Sequence, residues 1–224
     1  MVFSDRRTAG RQLGRVVAET GVPGPVVVEA LPRGGVPVGF EVATALDAPL
    51  DVILVRKLGV PFQPELAMGA IGEDGVRVLD PEMVRLARVS EADLERVEGA
   101  QRRELARQAE RFRPGGGRVD LAGATAVVVD DGVATGSTAR AACAVARAHG
   151  AQRIVLAVPV AASDVRSRLG GAADEVITLA TPEPFGAVGR FYRNFSQVTD
   201  SEVVELLARA GQRRLDEVQG SEPA

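Results

Sequence analysis

The chain has 224 residues, 46% of them hydrophobic and 25% charged, enough for one α/β domain to bury a core without disulfides or a structural metal. A formal charge of −3 and a pI near 5.4 give no general basic field for nucleic acid, and the single cysteine, Cys143, and single histidine, His149, leave disulfide frameworks, Cys/His zinc sites and Ser/His/Asp triads short of ingredients. The opening stretch, MVFSDRRTAGRQLG, has no apolar signal core, and no run approaches about 18 uninterrupted apolar residues, so a cytoplasmic protein with no membrane partner is expected.

From the start, Thr8 to Glu19 spaces Leu13, Val16 and Val17 among arginines, as in a short amphipathic helix covering one edge. Pro25 to Leu31 (PVVVEAL) is a β-branched run, followed by Pro-Arg-Gly-Gly and the helix-like stretch Val36 to Leu46. Asp51 to Val55 (DVILV) is a second apolar run that ends in Arg56 and Lys57. Strand, loop, helix and strand make a βαβ unit, and unbroken apolar strands indicate a parallel sheet covered on both faces. Lys57 is the only lysine beside 26 arginines, and at a strand end it suggests either chance or a task for a compact ammonium.

From Leu58 to about residue 118 the pattern changes. Leu66 to Ile71 and Val76 to Leu79 flank Gly-Glu-Asp-Gly, as in a hairpin. Glu91 to Phe112 then aligns Leu94, Val97, Leu105 and Phe112 on one side of an amphipathic helix, with Glu98 and Arg102 as a supporting pair. Acidic residues alternate with its arginines, which marks a solvated face and not a nucleic-acid patch. Pro114 to Gly117 closes the insert.

The alternating pattern resumes with strands at Ala124 to Val129, Arg153 to Val160 and Asp174 to Leu179, and helices at Ser137 to His149 and Ser163 to Leu169. Cys143 and His149 fall in the first of these helices, as a buried thiol and a helix-end residue. The economical assembly is one domain over residues 1–224 with five parallel strands flanked by helices. Beyond Thr181 come Phe185, Phe191, Tyr192 and Phe195, then a short helix near Glu202 to Ala210 and a tail expected to fray past Gly211.

Val127 to Thr138 (VVVDDGVATGST) concentrates the chemistry. Ligands of open α/β sheets bind outside the carboxyl ends of the strands, so Asp130 and Asp131 point into a site. Ala134, Thr135, Gly136, Ser137 and Thr138 open a helix with free amides, hydroxyls and the positive dipole end, a cradle for a phosphate monoester. The two acids repel phosphate, so their neighbour is hydroxyl-rich or a metal; ribose hydroxyls with Mg2+ meet both conditions.

A diacid followed by Ala-Thr-Gly-Ser-Thr resembles the signature of the type I phosphoribosyltransferases. That resemblance implies a five-stranded parallel sheet with a hairpin and helical flap insert (58–118) and a small hood (181–200). It implies that Asp130 and Asp131 bind the ribose 2′ and 3′ hydroxyls of phosphoribosyl diphosphate and Mg2+, directly or through water, and that Ala134 to Thr138 hold the 5′-phosphate. Leu31 to Gly35 (LPRGG) resembles the family's pyrophosphate loop, with Arg33, Gly34 and Gly35 as donors and a non-proline cis peptide at or beside Pro32–Arg33. Lys57 matches the basic residue aimed at pyrophosphate. With FYRNFSQ near the end, the likeness to a bacterial group of phosphoribosyltransferases spans nearly the whole chain.

Further expectations follow from that likeness. Departing pyrophosphate gathers charge that Arg33, Lys57 and Mg2+ stabilise, and the insert closes to exclude water. Enzymes of hypoxanthine and guanine carry an aspartate where this chain has Ala134, and a methyl group transfers no proton, so a small acceptor other than a 6-oxopurine is implied. The hood is the expected acceptor wall: Phe191 or Tyr192 stacks on a planar base or packs in the core, with Pro159 to Ala162, including Val160, beneath. Glu29, Glu65 and Arg193 are weaker polar candidates, Glu29 being equally a solvent-facing residue at a strand end. A homodimer is expected. The alternative is a regulator of the same fold that senses the diphosphate or a nucleotide, against which stand the charge of −3 and the retained Arg33 and Lys57. An unrelated nucleotide hydrolase lacks its Walker lysine.

Overall fold

The computed structural model describes residues 2–114 and 116–220. Its larger sheet comprises β1 (Val26–Ala30), β2 (Leu50–Val52), β6 (Thr125–Val129), β7 (Arg153–Val160) and β8 (Glu175–Ala180) in the order β2-β1-β6-β7-β8, every neighbour parallel. Alternate residues of most strands enter two cores, which is why the runs are largely apolar. Val28, Val127 and Val155 face α1 (Arg6–Glu19) and α2 (Gly35–Leu46), while Val27, Val128 and Ile154 face α5 (Ser137–Ala148). The chain leaves β1 for β2 on one side and later resumes at β6 on the other, so the strand order reverses between β1 and β6. That switch point opens a crevice where the loops after β1 and β6 meet.

The insert differs from expectation at its start. The parallel strand stops at Val52, and β3 (Val55–Val60), β4 (Gln63–Gly72) and β5 (Arg77–Leu79) form a separate antiparallel sheet in that order. The expected hairpin is its β4–β5 half. Lys57 therefore does not end a parallel strand. It lies within β3, whose course away from β2 is fixed by pairing with β4 and by an Arg56–Glu104 ion pair of 3.0 Å. A short helix α3 (Pro81–Leu86) follows, with Asp80 accepting a cap bond from the Met83 N–H at 3.0 Å, and then α4 (Glu91–Phe112), where the Glu98–Arg102 pair forms.

One largely buried arginine anchors this insert. Arg113 donates to Asp51 on β2 at 2.7 Å, to Glu73 in the hairpin turn at 2.5 Å and to the Val52 carbonyl at 3.0 Å, and Asp51 also accepts the Val119 N–H at 2.8 Å. Its guanidinium is held even further above the ordinary arginine range by these two carboxylates, against the opposing effect of burial. Beside this cluster Glu29 is fully buried, with neither carboxylate oxygen hydrogen-bonded. Burial and the charge of Asp51 keep its carboxyl well above the usual range. The solvent-facing reading of Glu29 is thus corrected: in parallel register it sits between Asp51 and Val128, inside the sheet.

After α6 (Val165–Leu169) and β8, a single 3-10 turn at Val188–Phe191 leads to α7 (Asp200–Gly220), which continues beyond the expected Ala210. Gly211 costs a helix roughly 1 kcal/mol, little for an element whose Val203, Leu206 and Ala210 are buried on the core. The last four residues of the tail expected to fray lie outside the described residues.

Candidate active site

Two loops face each other across the switch point. Asp130 and Asp131 emerge from fully buried β6; Asp130 Oδ1 accepts the Asp131 N–H at 2.8 Å, and Asp131 Oδ2 accepts from Arg6 Nε at 2.8 Å. Burial, reinforced by the charge of Asp131, pushes the Asp130 carboxyl well up, and burial also raises Asp131 against the opposing pull of Arg6. Opposite lies the loop after β1, whose Leu31 N–H donates to the Val129 carbonyl at 2.8 Å and whose Pro32–Arg33 peptide is cis. A Cβ on Gly34 would stand 2.1 Å from Asp131 Oδ2, and one on Gly35 2.6 Å from the Val129 carbonyl oxygen. The double glycine is therefore what lets this backbone close onto the diacid.

The loop 134–138 forms the third wall. Val133 N–H donates to the Val160 carbonyl at 2.9 Å, setting the turn, and Gly136, at φ 78°, caps α5 without any side-chain hydrogen bond. The first-turn amides of α5 thus face outward where an anion would be favoured. Thr135 and Ser137 hydroxyls lie 3.3 Å apart, and Lys57 Nζ reaches across from β3 to donate to Ser137 Oγ at 3.4 Å. Arg33 instead leans away, its guanidinium 3.6 Å from Asp200 at the start of α7, where Arg111 also pairs at 2.7 Å.

The hood corrects one expectation. Tyr192 is buried, its ring packed against Phe3 and Phe195 and its hydroxyl donating to the Asp131 carbonyl at 2.5 Å, so it is enclosed and has no free ring surface for an acceptor. Phe191 is half-buried against Phe185, while Pro159 and Val160 are buried in the end of β7. Glu65 is exposed on β4, and Arg193 is exposed with its backbone N–H bound to the Phe3 carbonyl at 2.9 Å. Glu29, sealed inside the sheet, does not face this crevice.

Sequence reasoning missed Arg6. Besides holding Asp131 it donates to the Ser196 carbonyl at 2.8 Å and lies 3.8 Å over the Phe195 ring, so it ties diacid to hood. It was hidden in an arginine pair at a helix start, which periodicity alone assigns to solvent. Gly132 was missed too: a Cβ there would meet Val188 at 2.6 Å.

Among the described residues no group of three or more His, Cys, Asp or Glu side chains could enclose a metal. Two adjacent, partly buried carboxylates whose charges oppose each other do fit one Mg2+, which commonly takes one or two carboxylates and completes its shell with water and substrate oxygens.

A phosphoribosyl transferase domain model matches residues 19–183, and the chain belongs to that family. Two Mycobacterium tuberculosis proteins, of strains CDC 1551 / Oshkosh and H37Rv and each named "Putative phosphoribosyl transferase", are 60% identical over 209 residues, 93% of this chain and 47% of theirs. The chain thus spans about half the length of these curated relatives. The crystal structure of TT1426 from Thermus thermophilus superposes with a TM-score of 0.84 at 44% identity, covering 93% of this chain and 99% of that one. Among the described residues no helix is long and apolar enough to cross a membrane.

Proposed function

We propose that the chain transfers the 5-phosphoribosyl group of phosphoribosyl diphosphate to a nitrogenous base or similar small acceptor. The bond from C1 to the diphosphate oxygen breaks, a bond from C1 to the acceptor forms, and pyrophosphate leaves. The observation that carries this reading is the convergence of three walls: a diacid, a glycine pair packed so closely onto it that a Cβ on Gly34 would stand 2.1 Å from Asp131 Oδ2, and a helix start with free amides and two hydroxyls.

In this reading Ala134, Thr135, Gly136, Ser137 and Thr138 bind the 5′-phosphate, and Asp130 and Asp131 accept hydrogen bonds from the ribose hydroxyls. Arg33, Lys57 and the Gly34 and Gly35 amides meet the charge that gathers on the departing diphosphate. Arg33 must leave Asp200 to do so, a modest step for a half-exposed pair at 3.6 Å. Asp130 and Asp131 would hold Mg2+, which when bound supplies further positive charge toward the diphosphate. The insert acts as a flap and residues 181–200 as a hood; with Tyr192 enclosed, Phe191 and the exposed edge of Phe195 are its acceptor-facing rings. A cytoplasmic setting and a homodimer accompany the reading.

Pyrophosphate release from phosphoribosyl diphosphate, Mg2+ and a panel of bases tests it. Arg33→Ala and Lys57→Ala should each lower turnover at least about tenfold, the equivalent of one charge-directed contact of about 1.4 kcal/mol. Near-normal turnover in both overturns their assignment, and tight binding without turnover across a broad panel assigns a sensor instead.

A further inference from the structure

The guanidinium of Arg33 is turned toward α7 and not toward the diacid. It lies 3.6 Å from Asp200 and has no other hydrogen-bond or ion-pair partner among the described residues. Asp200 is the first residue of α7, yet that helix does not use it as a cap. Thr199 does this work: its Oγ1 accepts the Glu202 N–H at 3.1 Å and its carbonyl the Val203 N–H at 3.1 Å. The Asp200 carboxylate is therefore available to other groups.

That carboxylate is also fixed in place. Arg111, in the last turn of α4, donates to its Oδ2 at 2.7 Å, and the neighbouring Phe112 is buried in the same core as Val203 and Leu206 of α7. One carboxylate thus serves two guanidiniums unequally. Arg111 makes a hydrogen bond, whereas 3.6 Å lies beyond hydrogen-bond range and 42% of the Arg33 side chain is exposed. Charge alone holds Arg33 there, with solvent weakening the attraction. When Arg33 departs, Asp200 keeps Arg111, so no carboxylate is left without a counter-charge.

We propose that Asp200 is a positioning residue for the reaction, the resting partner to which Arg33 returns between turnovers. Asp200 and the diphosphate compete for one guanidinium, so Asp200 loosens the hold of the site on pyrophosphate and eases its release after transfer. The inference rests on the proposed function in assigning Arg33 to the diphosphate.

Calorimetry with inorganic pyrophosphate and Mg2+ reads this competition without turnover. Asp200→Asn, which keeps the shape and removes the charge, should tighten pyrophosphate about threefold, the scale of a half-exposed ion pair. Asp200→Glu, which keeps the charge, should return the affinity toward the parent value. Arg111→Ala leaves Asp200 to Arg33 alone and should weaken pyrophosphate by a similar factor, the opposite sign. Both effects should vanish in an Arg33→Ala background. In turnover, Asp200→Asn should lower the KM for phosphoribosyl diphosphate about threefold without raising kcat. An unchanged or weakened pyrophosphate affinity in Asp200→Asn, the same sign in Arg111→Ala, or effects that persist without Arg33 overturn the proposal and leave the transfer reading in place. No uptake of pyrophosphate or phosphoribosyl diphosphate by the parent overturns both.

Discussion

Gly34→Ala adds one methyl group at the point where the two loops touch. The backbone at Gly34, φ −62° and ψ −32°, suits any residue, so the effect is one of contact and not of conformational freedom. The new Cβ would start 2.1 Å from Asp131 Oδ2, and ordinary contact begins at 3.4 Å, so loop or carboxylate must retreat by about 1.3 Å. Asp131 is not free to swing aside, because Arg6 Nε holds the same oxygen at 2.8 Å and Arg6 is itself fixed at the Ser196 carbonyl. A misplacement of roughly 1 Å in a positioning group costs about a hundredfold in rate. Turnover of Gly34→Ala, read as pyrophosphate release, should therefore fall about a hundredfold, while its melting temperature stays within about 5 °C of the parent, as for a local change worth about 1 kcal/mol. A variant that turns over within about twofold of the parent, at unchanged melting temperature, refutes the contact between loop and diacid as the basis of the site.

Other consequences are equally measurable. Arg113→Ala leaves Asp51 and Glu73 buried without a counter-charge, which should cost about 3 to 5 kcal/mol and lower the melting temperature on the order of 10 °C; a shift under about 3 °C contradicts the anchoring role. Glu29 keeps its proton in the fold above the ordinary 4.5, so its contribution to stability is complete below pH 4.5 and is lost as pH rises toward the folded-state value. Glu29→Gln, which has no proton to lose, should match the parent at pH 4 and exceed it increasingly as pH rises, by at most about 1.4 kcal/mol per pH unit; parallel melting-temperature profiles from pH 4 to 8 would dispose of this. Arg6→Ala should lower kcat/KM for phosphoribosyl diphosphate at least about tenfold by freeing Asp131, with partial recovery in Arg6→Lys, and equal values in all three proteins would remove Arg6 from the site.

What the sequence made legible was whatever is written in local pattern. The five parallel strands stand out because side chains such as Val27 and Val28 enter opposite cores, leaving no polar alternation to blur the run. Both ends of α4 were readable from its amphipathic stripe, and the cis bond at Pro32–Arg33 fell where the family likeness put it. β3 was obscured because VRKLGV carries two charges and a glycine, and α3 because its one signal, Asp80 before Pro81, is only two residues long. The pairing of Arg6 with Asp131 spans 125 positions, and the burial of Tyr192 depends on Phe3 from the other end of the chain; no local period encodes such contacts. Glu29 failed for a related reason, since its neighbour Asp51 is set by register and not by sequence proximity.

The leading stretch is sewn to the segment before α7: Phe3 N–H donates to the Phe191 carbonyl at 2.8 Å, and Asn194 N–H to the Ser4 carbonyl at 2.9 Å. A tag joined just ahead of Phe3 would therefore lie against the ring cluster of Tyr192, and trimming the first six positions would unpick these bonds and strip Asp131 of its guanidinium in one cut. Expression formats that leave this leading stretch untouched are the ones whose kinetics will describe the protein itself.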